Sequence, residues 1–185
     1  MRRGARFARA IVVGLAIAVL AWVVWRATRG SARAPGANST PADTLATGFR
    51  AAALYFPSTS GDDLVIETRD MIEQSDLHER IATLVTELAR GPRGEAVAAV
   101  PPETAVLHVY LDDRGLLTLD LSRGFRAGFR GGATAERMAI GALVRTLAAN
   151  VPEVRRVQFA VEGAPLPSLG GHLPLEPPLD VAEWP

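Results

Sequence analysis

The chain has 185 residues, with 20 basic and 20 acidic side chains and a hydrophobic content of 48%. This length fits one ordinary domain with additional segments, and the apolar content excludes a chain that is disordered throughout. The net charge of zero hides an asymmetry, because residues 1–33 carry seven arginines and no acid. The remainder is therefore acidic, which argues against nucleic-acid binding. The absence of cysteine excludes disulfides, thiolate metal sites, a cysteine nucleophile and a lipid anchor on an N-terminal cysteine.

The N-terminus combines a basic segment with an apolar one. Residues 1–9 carry four arginines, and residues 10–25 are uncharged and mostly apolar. A helix over residues 10–25 is about 24 Å long, short of a hydrocarbon core of about 30 Å, and snorkelling arginines make up the difference. The pattern predicts an uncleaved single-pass signal-anchor with the N-terminus in the cytoplasm. A cleaved signal peptide is the alternative, since Ala32-Arg33-Ala34 has the small-x-small form of a cleavage site.

Three further segments follow the apolar run. Residues 26–48 are rich in Ala, Gly, Ser, Thr and Pro, which predicts a flexible linker. Residues 49–163 carry most of the periodic patterns and are expected to form a domain on the extracytoplasmic side of the cytoplasmic membrane. Residues 164–185 are rich in proline and are expected to cross a sheet edge without regular structure.

A first β-hairpin is predicted at the start of the domain. Residues 51–56 and 64–69 read as strands, and residues 57–61 form a turn-prone run of Pro, Ser, Thr and Gly. Asp62 and Asp63 follow the turn. Two adjacent acids are compatible with a cation, but without further spaced ligands they are more typical of solvated turn residues.

An amphipathic helix follows this hairpin. Asp76 is a suitable N-cap with Glu79 three residues later, and Gly91-Pro92 ends the helical pattern. Apolar residues recur at helical spacing, which predicts one buried stripe. They are Leu77, Ile81, Leu84, Val85 and Leu88.

A second hairpin is predicted around a turn with glycine in its last position. Residues 106–111 and 116–121 alternate in polarity, and residues 112–115 read Asp-Asp-Arg-Gly. One face of each strand is apolar, so the pair is expected to be half-buried. Asp120 falls on the opposite face and is expected to be solvated.

Residues 122–132 form the most unusual stretch of the chain. They hold four glycines, three arginines and two phenylalanines directly before a predicted helix. We treat this stretch as a candidate loop for binding a partner or a ligand. The candidate residues are Arg123, Phe125, Arg126, Phe129 and Arg130. The alternative is structural: one phenylalanine seals the edge of the core while the arginines are solvated.

A helix and a strand are predicted in the last part of the domain. Residues 134–149 have helical apolar spacing with Thr134 as N-cap, and residues 156–162 alternate as a strand with one wet face. The resulting order is strand, strand, helix, strand, strand, helix, strand. This order predicts an α+β fold, an antiparallel or mixed sheet with two helices packed on one face, preceded by one N-terminal transmembrane helix.

No catalytic or metal-binding constellation is evident in the sequence. The three histidines are isolated, and no pair has metal-ligand spacing. Serines stand in no nucleophile-elbow motif. Three acids are candidates for a hydrolytic carboxylate pair, although their spacing in sequence does not bring them together: Glu67, Asp112 and Asp120. We therefore expect no enzymatic activity, no cofactor and no metal.

Several short motifs, taken in order, carry a family resemblance. They are Leu54-Tyr55-Phe56, Glu67-Thr68-Arg69, Leu88-Ala89-Arg90-Gly91-Pro92, Val100-Pro101, the hairpin 106–122, Glu136, Thr146-Leu147 and the strand within 154–163. Together they resemble the GerMN domain of sporulation and spore-germination proteins. The resemblance covers residues 49–163.

The resemblance implies a role in the cell envelope. Members of the family are membrane-tethered or lipid-anchored domains, some of them associated with peptidoglycan-active enzymes, and their fold is similar to ring-building modules of secretion-type assemblies. No catalytic residues are established for the family, so none are assigned here. The expectation is a non-enzymatic domain, tethered through residues 10–25, that binds envelope proteins or self-associates. The alternative is a domain that binds peptidoglycan or assists a cell-wall amidase.

Overall fold

A computed structural model describes residues 48–184 of the chain. The basic segment 1–9, the predicted signal-anchor 10–25 and all but the last residue of the linker 26–48 lie outside the described residues. Within residues 48–184, no helix is both long and apolar enough to cross a membrane.

The first hairpin is confirmed, and both strands are longer than predicted. Strand β1 (Phe49–Pro57) and strand β2 (Leu64–Ile72) pair antiparallel, with Phe49 opposite Ile72 at one end and Pro57 opposite Leu64 at the other. Alternate β1 residues point into the core, where Leu54 and Phe56 are fully buried. The hairpin forms a two-stranded sheet of its own.

Helix α1 (Leu77–Arg90) also forms as the sequence predicts. The Asp76 carboxylate accepts a hydrogen bond of 2.9 Å from the Glu79 backbone N–H, which satisfies one of the free donors in the first turn. Gly91 ends the helix with a φ of 86°, a conformation that glycine adopts without strain. Four of the five predicted stripe residues are buried: Ile81, Leu84, Val85 and Leu88.

The second sheet is mixed. Strands β3 (Val106–Leu111) and β4 (Leu116–Leu121) form the predicted antiparallel hairpin, and β5 (Arg156–Val161) lies parallel to β4. Two short strands, β6 (Ala164–Pro165) and β7 (Leu179–Asp180), pair antiparallel with β5. A parallel pair needs a long crossover, and residues 122–155 supply it with two helices.

The crossover contains helices α2 (Arg123–Gly128) and α3 (Ala133–Asn150). The N-cap of α3 is Gly132, so the prediction of Thr134 as N-cap is wrong. Helix α3 is buried on nearly every side and shares one hydrophobic core with residues of both sheets and of α1. The fold is α+β as predicted, but it has two sheets and three α-helices among the described residues, whereas the sequence predicted one sheet with two helices on one face.

Polar side chains of α3 explain why the first hairpin remains a separate sheet. Asn150 accepts a hydrogen bond of 3.2 Å from the Ala53 N–H and donates one of 2.8 Å to the Ala53 carbonyl. The Thr146 hydroxyl accepts one of 3.0 Å from the Tyr55 N–H. These bonds satisfy backbone groups on the outer edge of β1, where a further strand would otherwise pair.

The C-terminal residues belong to the folded body. They form β6, β7 and a 3₁₀ helix (Val181–Glu183), so the prediction that they lack regular structure is wrong. Four of their side chains are buried: Leu166, Leu169, Leu175 and Trp184. Gly141 of α3 allows the Trp184 ring to approach, since a Cβ at this glycine would lie 3.1 Å from the ring.

Candidate functional site

A groove of about 470 Å³ lies beside the end of the first hairpin. The β1–β2 turn forms one side, the segment 97–102 forms another, and the junction of α2 and α3 closes the third. The segment is held in place by a hydrogen bond of 2.8 Å from the Val97 N–H to the Pro57 carbonyl. The walls therefore come from three parts of the chain that are distant in sequence.

The groove is largely apolar. Its lining includes the nearly buried side chains of Val100 and Met138, and it also includes Val97, which is 49% exposed. Pro101 and Pro102 end this segment, and neither can donate a backbone hydrogen bond. An exposed apolar lining of this kind is the typical surface for a binding partner.

Residues 123–128 of the candidate stretch form helix α2, whereas the sequence was interpreted as a loop, and Phe129 and Arg130 directly follow the helix. Gly124 packs against the Glu103 carbonyl so closely that a Cβ would lie 2.3 Å from the oxygen. Ser122, just before the helix, donates to the same carbonyl over 3.1 Å and accepts from the Ala105 N–H over 3.0 Å. The glycine and serine in this stretch thus serve helix packing.

Phe125 and Phe129 have different environments. Phe125 is fully buried and stacks on Phe159 with ring centroids 6.4 Å apart, so it seals the core as the structural alternative proposed. Phe129 is half-buried and lines the groove. The structure therefore leaves Phe129 as the aromatic residue of the candidate set that a partner can reach.

The three candidate arginines are exposed, but only Arg130 lines the groove. Arg130 donates hydrogen bonds of 2.6 Å and 2.8 Å to the carbonyls of Ala127 and Phe129, which orients its guanidinium at the end of α2. Arg123 and Arg126 lie on the exposed side of α2. None of the three forms an ion pair with an acid within residues 48–184.

A buried carboxylate fixes the C-terminal residues beside this groove. Glu136, in the first turn of α3, is fully buried and accepts backbone hydrogen bonds of 2.9 Å from Leu169, 2.8 Å from Gly170 and 2.9 Å from His172. Its oxygen also lies 3.1 Å from His172 Nδ1. Burial by itself raises the pKa of Glu136, but the hydrogen bonds from Gly170 and His172 outweigh it and hold this pKa below its usual value. A Cβ on Gly170 would lie 2.8 Å from the Phe129 ring, so this clamp also positions a groove-lining residue.

The sequence places Glu136 in a helix, but it does not predict the role of this carboxylate. An acid in the first turn of a helix is ordinarily explained by the helix dipole, and that signal was available. Its partners lie 33 to 36 residues later in the chain, so only the tertiary structure brings them together.

A second network joins the motifs Glu67-Thr68-Arg69 and Leu88-Ala89-Arg90-Gly91-Pro92. Arg69 is nearly fully buried, lies 5.2 Å from the Phe56 ring centroid, and donates to Glu67 over 2.8 Å and to Glu87 over 2.9 Å. It also donates over 2.7 Å to the Gly91 carbonyl at the end of α1. The two motifs are therefore in contact, and they stabilise the packing of the first hairpin on α1.

The acids considered for hydrolysis all serve structure. Asp120 is buried, so the prediction that it is solvated is wrong: it accepts from the Gly163 N–H over 3.0 Å and lies 3.0 Å from His108 Nδ1. Asp112 accepts from backbone N–H groups of its own turn, and Glu67 binds Arg69. Within residues 48–184 no group of three or more potential metal ligands occurs.

The carboxylate of Asp62 is held by hydroxyl groups of its own turn. It accepts hydrogen bonds from Ser58 and Ser60. The Ser60 hydrogen bond is the main reason that the pKa of Asp62 lies below its usual value.

The architecture defines a class of protein. It is a small α+β domain in which polar networks are structural and an apolar groove is open. The family model described as "Germane: Sporulation and spore germination" matches residues 53–167. The chain belongs to this family, as its motifs indicated.

Solved structures support the same fold. The first GerMN domain of the sporulation protein GerM from Bacillus subtilis is 17% identical, with a TM-score of 0.59 over 71% of this chain and 97% of that one. The tandem GerMN domains of the same protein give a TM-score of 0.60 at 17% identity, over 74% of this chain and 48% of that one. At this identity the likeness concerns the fold alone. No curated protein matches the chain.

Proposed function

We propose that this chain is a non-enzymatic, membrane-tethered envelope protein whose folded domain binds a partner protein through the groove. The observation that carries the proposal is the exposed apolar lining at Val97 and Phe129, beside the guanidinium of Arg130. Partner surfaces typically combine an aromatic or apolar centre with arginine at the rim. The apolar run 10–25 supports the tether, and the four arginines of residues 1–9 support an extracytoplasmic domain.

The use of the titratable residues supports the non-enzymatic part of the proposal. Glu67, Asp120 and Glu136 are buried or half-buried, and each is committed to hydrogen bonds that hold separate segments together. None of them lines the groove. A general acid or base needs a proton-transfer position open to a substrate.

Photo-crosslinking from the groove tests the proposal. A benzophenone amino acid at Thr59, on the rim, is introduced into the full chain in its host membrane. We expect a discrete adduct with an extracytoplasmic protein that is lost in Val97→Asp, because the charge disrupts the apolar lining. The matched control is Leu107→Asp, which changes an apolar side chain of similar exposure outside the groove and should retain the adduct. Equal adduct in both variants, or none in the parent, contradicts groove binding.

A second candidate function is peptidoglycan binding. It is favoured by the exposed guanidinium groups of Arg123, Arg126 and Arg130, which have no acidic partner within the described residues. Arginine pairs with carboxylates, which peptide stems of the cell wall carry. For this function, Arg126→Ala combined with Arg130→Ala should abolish co-sedimentation with purified cell wall.

The control for this second candidate removes two exposed arginines elsewhere. Arg114→Ala with Arg155→Ala makes the same change in charge at the turn of the second hairpin and in the segment bonded to that turn. Equal co-sedimentation of both double variants would show that these contacts are non-specific and would contradict the second function.

A further inference from the structure

Strand β2 has an open edge. The Glu73 N–H donates to the Gly48 carbonyl, and the Ser58 N–H donates to the Asp63 carbonyl. These two bonds, one at each end of the hairpin, fix which residues of β1 and β2 are hydrogen-bonded to each other. Odd-numbered β2 residues therefore bond to β1, and even-numbered ones point their N–H and C=O groups away from it. The even-numbered residues are Leu64, Ile66, Thr68, Asp70 and Ile72.

These edge groups are largely without partners in the described part of the chain. Only the Leu64 N–H is satisfied, by the Asp63 carboxylate at 2.7 Å. No strand within residues 48–184 pairs with this edge, and the opposite edge of the hairpin is covered by α3. The nine-residue strand contains neither proline nor lysine, the residues that commonly protect an edge from pairing.

The side chains of β2 make the strand complementary to itself. If two copies pair antiparallel with Thr68 opposite Thr68, then Glu67 lies opposite Arg69 of the second copy. Each of these residues is already ion-paired within its own chain, so they bring no unpaired charge to the interface. Val65 then faces Met71, and Leu64 faces Ile72, which matches apolar residues with one another. Only Ile66 and Asp70 are mismatched.

The outer face of the hairpin is also apolar. Phe49 is 71% exposed, Ile66 is 56% exposed and Ile72 is 50% exposed, and all three belong to this face because side chains alternate along a strand. Pairing of two hairpins would place these residues on one continuous four-stranded surface. A two-stranded sheet is marginal by itself, and two further strands reinforce it.

We propose that two copies of this protein associate through their β2 edges, in the order β1-β2-β2-β1, with Thr68 on the two-fold axis. The interface is isologous, so it closes at the dimer. It uses no residue of the groove, and its existence does not depend on the proposed partner binding.

Cysteine crosslinking of the full chain in native membranes tests this pairing. The protein has no cysteine, so a single introduced thiol reports only its own position. Thr68→Cys should form a disulfide-linked dimer on mild oxidation, because directly opposed residues in a hydrogen-bonded pair lie about 5.5 Å apart. Tyr110→Cys is the matched control on β3, 67% exposed, and should not form the dimer.

Two edge variants are combined with Thr68→Cys. Asp70→Pro removes an outward N–H that β1 does not use, and Ile72→Lys places a charge opposite Leu64. Each should lower the yield of crosslinked dimer at least tenfold. Ile72→Lys changes a half-exposed side chain, so it tests the edge even if the proline variant fails to fold.

Several outcomes would overturn the proposal. They are no dimer from Thr68→Cys, equal dimer from Tyr110→Cys, a yield that Ile72→Lys leaves unchanged, or an adduct with the mass of another protein. Retention of the dimer when Val97→Asp abolishes groove adducts would separate this interface from partner binding.

Discussion

Replacement of Glu136 by glutamine is the sharpest test of how this domain is held together. The carboxylate accepts three backbone N–H groups and contacts His172 Nδ1. Glutamine has the same shape, but one of its two terminal atoms donates. The two bonds of Glu136 Oε1 can survive in neutral form, whereas the His172 N–H would face an amide N–H in place of Glu136 Oε2.

The size of the effect follows from these contacts. A hydrogen bond to a charged group contributes about 1.5–3 kcal/mol, a neutral one about 1 kcal/mol, and a buried donor left unsatisfied costs about 1–3 kcal/mol. Glutamine is neutral, so the variant no longer bears the free-energy cost of burying a charge, and this gain offsets part of the loss. We expect Glu136→Gln to lower the free energy of unfolding by about 3 kcal/mol. In a domain of this size that corresponds to roughly 10 °C in Tm.

The pH dependence supplies an independent signature. The folded-state pKa of Glu136 lies below its usual value, so its contribution to stability is fully present above the unfolded-state pKa. That contribution is lost as the pH falls through the folded-state pKa. The stability difference between wild type and Glu136→Gln should therefore be largest near neutral pH and shrink below about pH 4.

Thermal unfolding of the full chain in detergent, followed by circular dichroism, measures both quantities. Glu153→Gln, at an exposed position, is the control and should unfold with the wild type. Limited proteolysis should cut Glu136→Gln faster within residues 168–174, because the clamp on that segment is lost. A Tm within about 1 °C of the control, or a stability difference that does not depend on pH, would refute the clamp.

Two further substitutions test other contacts. Arg69→Met removes the shared cation between Glu67 and Glu87 and should cost about 3–5 kcal/mol in urea unfolding, since two half-buried carboxylates lose their partner; a loss under 1 kcal/mol would show that the ion pairs are marginal. Gly115→Ala should destabilise by more than about 1 kcal/mol, because the residue has a φ of 79° and its Cβ would lie 2.6 Å from the Glu153 carbonyl; an unchanged Tm would contradict this packing.

Local patterns account for the elements that were predicted correctly. The stripe from Ile81 to Leu88 needs only a 3.6-residue period, and Asp76 and Gly91 mark helix ends by their own backbone preferences. The hairpin at residues 106–121 likewise depends on alternation and on a glycine turn. Each of these signals lies within a few residues of the structure that it predicts.

The errors arise where one residue serves a distant partner. Asp120 alternates like a solvent-facing residue, yet Gly163 and His108 bury and satisfy it. Residues 122–132 look like a loop because of their glycines. Gly124 nevertheless lies in helix α2, where the Glu103 carbonyl approaches so closely that a side chain would not fit. Of the two candidate phenylalanines in this stretch, Phe125 therefore lies in the core and Phe129 lines the groove.

The sequence alone determined the family, the α+β class, the order of most elements and the ends of the first long helix, because these follow from local periodicity and capping. Only the tertiary structure decided that the hairpin 49–72 forms its own sheet, since Asn150 and Thr146 satisfy the edge that a third strand would have used. Only the tertiary structure joined the C-terminal residues to Glu136 and formed a groove from three distant segments. Such contacts depend on geometry between residues far apart in sequence, and no local pattern encodes that geometry.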